Sequence, residues 1–475
     1  MGEDSVDRGS VALFGARLGG SAVGFASTVY FARELGASGL GVYFTFETVV
    51  VLVAVLVRFG VDSAVVQRLA SAADDAERAR HLTGAFALVA VPLTLVAAAV
   101  LLFADAFSSL VGLAVAPLVV AVIAVETGQW LLLSALRGER RLATSAGLEL
   151  GGELARVGAS VWFVVGGAGP IGLVYGLLIG HAVRVLAALL LLDTGFAIPT
   201  RETFHSLLSF STYTAGMNVS HLAYSWLDTL VLALFVSKSA VGTYEAAWRV
   251  SLVVAMASSA VGASLSPTVS AWASSDAYGR IETAVTESLS LGLVLVVPAV
   301  VGAAVLGGPF MAIAYGFGGG ALLAVLVAGQ LAQSVKDVVQ STLLGLDRPR
   351  AVFVTNAVGL GANLVLTVGL ALAYGPLGAA VGTALTAGVA AALQWHALSA
   401  LIDLRVDWHG LAVQTGAALV MGVVVFAGSR VVVPDSPASL LALVALGGVT
   451  YAACLGVHPP TRARVVGLAR PDGES

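Results

Sequence analysis

The chain has 475 residues, 58% of them hydrophobic and 11% charged, with a mean hydropathy of +0.95, whereas a soluble domain carries about 25% charged residues. This composition excludes a water-soluble enzyme and leaves no stretch for a separate soluble domain. The net charge is −4, the basic residues are 22 Arg and 2 Lys, and the single cysteine, Cys454, excludes an internal disulfide or a cysteine-based metal cluster.

The opening segment MGEDSVDRGS is acidic and has no basic start or small-residue cleavage site, so the first apolar run is expected to be kept rather than removed as a secretory signal. Apolar runs set off by charged breaks predict fourteen membrane helices, each near the roughly 20 residues needed to cross a bilayer. The first six are Val11 to Phe31, Leu40 to Leu56, Leu82 to Phe103, Leu110 to Leu136, Leu142 to Val165 and Ile171 to Leu192. The next six are Leu207 to Phe235, Val241 to Leu265, Ser288 to Val305, Ala321 to Leu344, Val352 to Tyr374 and Leu377 to Ile402, followed by Leu411 to Ala427 and Ser439 to Leu455. The segments RFGVDSAVVQRLASAADDAERARH and TGFAIPTRETFH mix charge with apolar residues and read as interfacial elbows.

With the N-terminus cytoplasmic, that side holds Arg8, Arg68, Arg78, Arg80, Arg137, Arg140, Arg141, Arg201, Arg280, Arg348, Arg350, Arg405, Arg462, Arg464 and Arg470. The other side holds Arg33, Lys238 and Arg430. Positive charge stays inside, so both termini are expected in the cytoplasm of a multi-pass protein of the cell membrane.

The chain also repeats itself. Ser38, Gly41 and Tyr43 match Ser239, Gly242 and Tyr244 at an offset of 201; Ser134, Leu136, Gly138 and Arg141 match Ser341, Leu343, Gly345 and Arg348 at 207. Gly169, Pro170, Gly172 and Gly176 match Gly375, Pro376, Gly378 and Gly382 at 206. Six spans separate the equivalents, so the halves share one orientation, as in transporters built from parallel repeats. The expected class is therefore all-α integral membrane protein: two pseudo-symmetric six-helix bundles plus two extra C-terminal helices. The expected divisions are 1–193 for the first lobe, 194–402 for a linker and the second lobe, and 403–475 for the two added spans and a cytoplasmic tail.

Charges inside membrane spans cost roughly 2.5–3.5 kcal/mol each on insertion scales, so they mark cavities or partners. Arg17 shares a face of span 1 with Ser21, Gly24 and Thr28. Span 7 carries Thr214, Asn218, His221, Ser225 and Asp228 in steps of 4, 3, 4 and 3, and span 10 carries Gln330, Gln333, Asp337 and Gln340 beside Lys336. Both stripes read as lining of a wet cavity. Glu149, Glu153 and Arg156 in span 5 lie within two turns, where pairing inside the helix satisfies them without a ligand and a cavity role is the other reading. Glu245 and Arg249 in span 8 are four apart, with Arg249 set deeper, towards the cavity. Arg58 and Arg184 are expected to snorkel to the cytoplasmic surface, and Asn356 and Asn363 to bridge helices.

No GxxxxGK[ST] loop is present, so the chain is not expected to hydrolyse nucleotide. Gly167, Gly169 and Gly172 spell GxGxxG only as turn chemistry between two spans. Neither a Ser/His/Asp constellation nor a metal-ligand set appears, and no cofactor, enzymatic activity or nucleic-acid partner is expected.

LDTLVLALFVSKSAVGTYEAAWRV, Leu227 to Val250, resembles the signature of polysaccharide-biosynthesis flippases: an aspartate ending span 7, then Gly-x-Tyr-x-x-Ala-x-Arg opening span 8. FARELGASGLGVYFTFETVVVLVAVLVRFGVDSAVVQRLA looks like that family's span 1 to 2 region, and NAVGLGANLVLTVGLALAYGPLGAAVGTALT its span 11 to 12 region. The resemblance covers about residues 10 to 400 and lies within the multidrug/oligosaccharidyl-lipid/polysaccharide exporter superfamily. It implies movement of a polyprenol- or dolichol-linked sugar from the cytoplasmic to the outer leaflet, by alternating access. A lipid-linked oligosaccharide carries phosphate, which the planar guanidinium suits. Arg17, Arg249 and Lys336 are therefore the expected phosphate partners, and Asn218, His221, Asp228, Gln333 and Asp337 the partners of sugar hydroxyls. Asp228 or Asp337 could alternatively take a coupling cation, H+ or Na+. Membrane lipids, glycosyltransferases and a polymerase of the same pathway are the expected partners. The competing reading is a cation-coupled multidrug or metabolite exporter, against which Arg17 in an acid-free span 1 tells. A non-transporting organiser of glycan assembly is a third, against which the intact polar stripes tell.

Overall fold

The computed structural model describes residues 3–457, with side chains described in that range except at 3–14, 16–18, 213–225 and 257. The chain separates into two compact units, Met1–Gly242 and Thr243–Ser475. The first contains α1 (Glu3–Arg58), α2 (Val61–Ser71), α3 (Asp75–Leu102), α4 (Ala104–Val111), α5 (Ala116–Gly138), α6 (Leu142–Phe163), α7 (Ile171–Leu191) and α8 (Arg201–Phe235). The boundary falls inside α9 (Lys238–Ala273). The second unit continues with α10 (Tyr278–Leu293), α11 (Val296–Tyr315), α12 (Gly320–Gly345), α13 (Pro349–Ser399), α14 (Trp408–Val431) and α15 (Pro437–Gly456). No strand occurs among the described residues.

Helix starts follow local chemistry. Asp74 accepts the Glu77 amide at 2.6 Å to open α3, and Thr200 with Thr203 and Ser436 with Ser439 form capping boxes at α8 and α15. Among the described residues nine helical runs are long and apolar enough to cross a membrane, ten if the bent pair in α9 is one span. That count is below the expected fourteen. Two reasons are visible: α1 and α13 each carry two expected spans joined at a non-helical glycine, Gly36 and Gly375, and α6 carries the three charges Glu149, Glu153 and Arg156. The fourth expected span starts later than Leu110, because α4 ends at Val111 and α5 opens at Ala116 with Pro117 in its first turn. The ninth is longer than expected, a run of 38 residues from Tyr278 to Tyr315.

The first expected elbow contains α2, whose Val61, Ala64, Val65 and Leu69 are buried. In the second, residues 192–200 are non-helical and pinned to neighbouring helices. The Ala197 amide donates to Thr83 Oγ1 at 3.1 Å, and the Thr194 amide and hydroxyl donate to Glu139 at 2.7 and 2.6 Å.

The repeat is present in backbone geometry. Gly169 and Gly375, each followed by proline, have φ/ψ of 60°/−147° and 61°/−142°, a region open in practice only to glycine. Arg140 and Asp347, 207 apart, both take positive φ, 60° and 56°. The amides that follow them, on Arg141 and Arg348, both reach back to the carbonyl five residues earlier, Leu136 and Leu343, at 2.9 Å. Gly41 and Gly242 face each other at close range: a Cβ on Gly41 would stand 1.7 Å from the Lys238 carbonyl oxygen, and one on Gly242 1.9 Å from that of Ala37. Ala37 and Lys238 are themselves 201 apart, so the crossing is reciprocal.

Candidate functional site

In the first unit the polar groups of α1, α5, α6 and α7 form one interhelical lattice. Arg58, at the end of α1, donates to Glu126 of α5 at 3.1 Å, and less than a tenth of either side chain is exposed. Trp130, one turn along α5, lies between two cations, with Arg58 Cζ 5.3 Å and Arg137 Cζ 5.6 Å from its ring centre. Arg137 donates to Ser145 Oγ at 3.1 Å and pairs with Glu149 on α6. Arg184 of α7 donates to the Glu149 carbonyl at 3.1 Å and stands 3.5 Å from Glu153, which Arg156 engages with two bonds at 3.0 and 2.6 Å. Gln129 meets His181 and accepts from Arg184 at 3.3 Å. Gly152 leaves the space through which Arg184 passes, since a Cβ there would stand 2.2 Å from Nε.

This lattice corrects two expectations. Arg58 and Arg184 do not reach a surface; they are 8% and 9% exposed and each has a carboxylate partner. Glu153 and Arg156 do pair within α6, yet Glu149 pairs across helices, so the cluster ties α5, α6 and α7 together. Glu126, Gln129, Trp130 and His181 were not among the expected residues. The available signal was Glu126 itself, a carboxylate ten residues inside an apolar span.

In the second unit, α9 and α12 meet through polar side chains. Asp337 accepts from Ser259 of α9 at 3.1 Å and from Gln333, one turn back on α12, at 2.7 Å. Gln330 donates to Ser251 at 3.3 Å. Lys336 is buried on α12. Arg249 lies 3.8 Å from Glu245, with about a third of its side chain exposed, whereas Glu245 is buried. Tyr244 and Thr383 hydrogen-bond at 3.3 Å. Three carboxamides from α12 and both halves of α13 close a further cluster: Asn356 donates to Gln340 at 3.0 Å, and Gln394 donates to Gln340 and Asn356 at 3.3 and 3.1 Å. Asn363 turns to Thr367 on its own helix at 3.3 Å.

Of the expected binding residues, Gln333 and Asp337 are thus brought together, with Lys336 beside them on the same helix, and Arg249 is held at Glu245. Asp228 is buried near the end of α8 in the first unit. The side chains of Arg17, Thr214, Asn218, His221 and Ser225 lie outside the described residues. No group of three or more metal-ligating side chains occurs among the described residues.

Comparison with known proteins gives consistent results. The family model described as polysaccharide biosynthesis protein matches residues 30–317. The chain is 32% identical over 377 residues to the probable low-salt glycan biosynthesis flippase Agl15 of Haloferax volcanii, covering 78% of this chain and 79% of that one. It is 30% identical over 380 residues, with the same coverage, to the probable flippase AglR of that organism. Among solved structures, the lipid II flippase MurJ in an inward closed conformation matches with a TM-score of 0.77 and 15% identity, over 94% of this chain and 98% of that one. An inward-facing multidrug resistance MATE family transporter matches with a TM-score of 0.62 and 17% identity, over 80% and 95%. At these identities the structural likeness speaks to fold. The fold is the one shared by these transporters, and the chain belongs to the polysaccharide biosynthesis protein family.

Proposed function

We propose that the chain is a flippase that carries a lipid-linked oligosaccharide across the membrane, from the cytoplasmic to the outer leaflet, by alternating access. The observation that carries this reading is the 32% identity, over more than three quarters of both chains, to a probable glycan biosynthesis flippase. The MurJ fold, closer in TM-score than the MATE fold, supports it. Polyprenol or dolichol phosphate is the proposed carrier, and polysaccharide or glycoprotein assembly, with its glycosyltransferases and polymerase, the proposed setting. The protein resides in the cell membrane with both termini cytoplasmic in this reading, and it transports without catalysing a covalent step.

The residues supply a matching chemistry. Arg249 is partly open beside a buried carboxylate, so a phosphate arriving there competes with Glu245 for a guanidinium already placed. Lys336 adds a second cation on α12, and Arg17 is proposed as a further phosphate partner. The Gln333–Asp337–Ser259 group presents donors and acceptors of the kind that sugar hydroxyls use. Asn218, His221 and Asp228 of α8 are also proposed to serve sugar hydroxyls. Asp228 or Asp337 is the proposed seat of a coupling cation, H+ or Na+.

The test is reconstitution into liposomes holding a fluorescent polyprenyl-phosphate-linked disaccharide. Addition of a membrane-impermeant quencher outside should reveal faster exchange of the probe between leaflets than in protein-free vesicles. An exchange rate equal to that of empty vesicles, together with gradient-dependent efflux of ethidium, would reverse the assignment in favour of a drug exporter.

A further inference from the structure

The run from Tyr278 to Tyr315 is interrupted at Val294 and Leu295, and its hydrogen bonds show why. Pro298 has no amide hydrogen to give to the carbonyl four residues back, that of Val294. The Val294 amide itself bonds to Leu291 at 3.2 Å, the shorter i−3 pattern, so the Ser290 carbonyl loses its helical donor as well. Two carbonyl oxygens are thereby left open in an apolar setting, where unmet polar groups are costly.

Both are met from helices that lie outside the repeat. Tyr451 of α15 donates its hydroxyl to the Val294 carbonyl at 2.8 Å. Gln414 of α14 donates through Nε2 to the Ser290 carbonyl at 3.0 Å and to Ser290 Oγ at 3.1 Å. Tyr451 and Gln414 are 7% and 2% exposed. Around them α14 and α15 pack against α11 through Met421, Val425, Leu443 and Tyr451, with Leu306 on the α11 side.

The first copy supplies an internal comparison. Pro92 stands 206 residues before Pro298, the same offset as Gly169 to Gly375. There α3 runs without interruption from Asp75 to Leu102, and its Val91 and Leu95, 64% and 67% exposed, have no added helices over them. One proline therefore sits in a continuous, uncovered helix and its counterpart in an interrupted, covered one.

We propose that Gln414 and Tyr451 are positioning residues through which the α14–α15 pair braces the interruption at Val294–Leu295, giving the second copy a held flexible point that the first copy lacks. In this arrangement the two added helices govern how readily the Tyr278–Tyr315 run bends. The two copies are mechanically unequal although their Gly-Pro turns repeat.

The test is a double-substitution cycle read by amide hydrogen exchange on the full-length protein in lipid nanodiscs. Tyr451→Phe keeps the ring and removes only the hydroxyl; it should speed exchange at residues 294–299 by roughly two- to tenfold. Gln414→Leu should act likewise at 290–295. In a Pro298→Ala background, residue 298 regains an amide that can serve the Val294 carbonyl, so Tyr451→Phe should then have no local effect. Equal acceleration in both backgrounds, or acceleration in neither, would overturn the proposal. A uniform rise in exchange across the second unit would also overturn it, since that result marks general loosening of packing.

Discussion

Arg58 and Glu126 illustrate what a single buried pair imposes on this protein. Removing one member leaves the other charged and without its counterion in a site closed to water, whereas removing both leaves an apolar gap that neighbours can fill. Arg58→Ala is therefore expected to lower unfolding stability in detergent by about 3–5 kcal/mol, and the double substitution Arg58→Leu with Glu126→Leu by distinctly less. Thermal unfolding of the purified variants measures this, and a double variant weaker than the single would contradict it. Sequence pattern gave the depth of Arg58 and Arg184 along their helices but not the face each presents. Snorkelling was the reading from depth alone, and it failed because the faces in question turn towards α5 and α6. Glu126 was readable in principle as a carboxylate inside an apolar run; its pairing with a residue 68 positions earlier was not.

At the scale of elements, the Gly-Pro turns are the parts most directly written in the chain. Gly169 and Gly375 hold a backbone conformation that a Cβ strongly disfavours, and the following proline cannot continue the preceding helix. Gly375→Ala is expected to cost about 1–3 kcal/mol. Gly361→Ala, in a helical part of the same α13 with nothing within 4 Å of the added carbon, should instead be neutral or stabilise by up to ~1 kcal/mol. Denaturation of the pair under identical conditions tests the contrast, and equal losses at both sites would remove the backbone argument. Other boundaries escaped the sequence for a physical reason. The carbonyls left open at the Val294 interruption are met by Gln414 and Tyr451, more than a hundred residues downstream, and hydrophobic pattern has no access to such bonds. The length of the Tyr278–Tyr315 run escaped for a related reason: the expected span opened at Ser288, after Glu282 and Glu287, whereas α10 carries both charges, Glu282 accepting the Asp403 amide at 3.0 Å.

For the molecule as a whole, the proposed transport puts Arg249, partly exposed beside the buried Glu245, in the cargo path. Loss of one charged hydrogen bond to cargo corresponds to about 1.5–3 kcal/mol, so Arg249→Ala should slow exchange of the fluorescent lipid-linked sugar by roughly 10- to 100-fold. Arg249→Lys, which keeps the charge and loses the planar fork, should fall between the two. Wild-type rates for both variants, at equal reconstituted protein, would remove Arg249 from the cargo path. Family and fold class were legible because the motifs around Gly41, Gly242 and Gly375 set backbone approach and turning, which few other residues can do. The arrangement of Gln333 and Asp337 was legible because a stripe on one helix needs no knowledge of its neighbours. The lattice of Arg137, Glu149, Glu153 and Arg184 was not, since it exists only between helices. Arg140 and Asp347 carry one more consequence. They occupy the same left-handed turn in the two copies and bear opposite charges. Shape repeats there while electrostatic sign does not, so exchanging the two side chains should leave both loops intact and report only on what each one greets in the surrounding water.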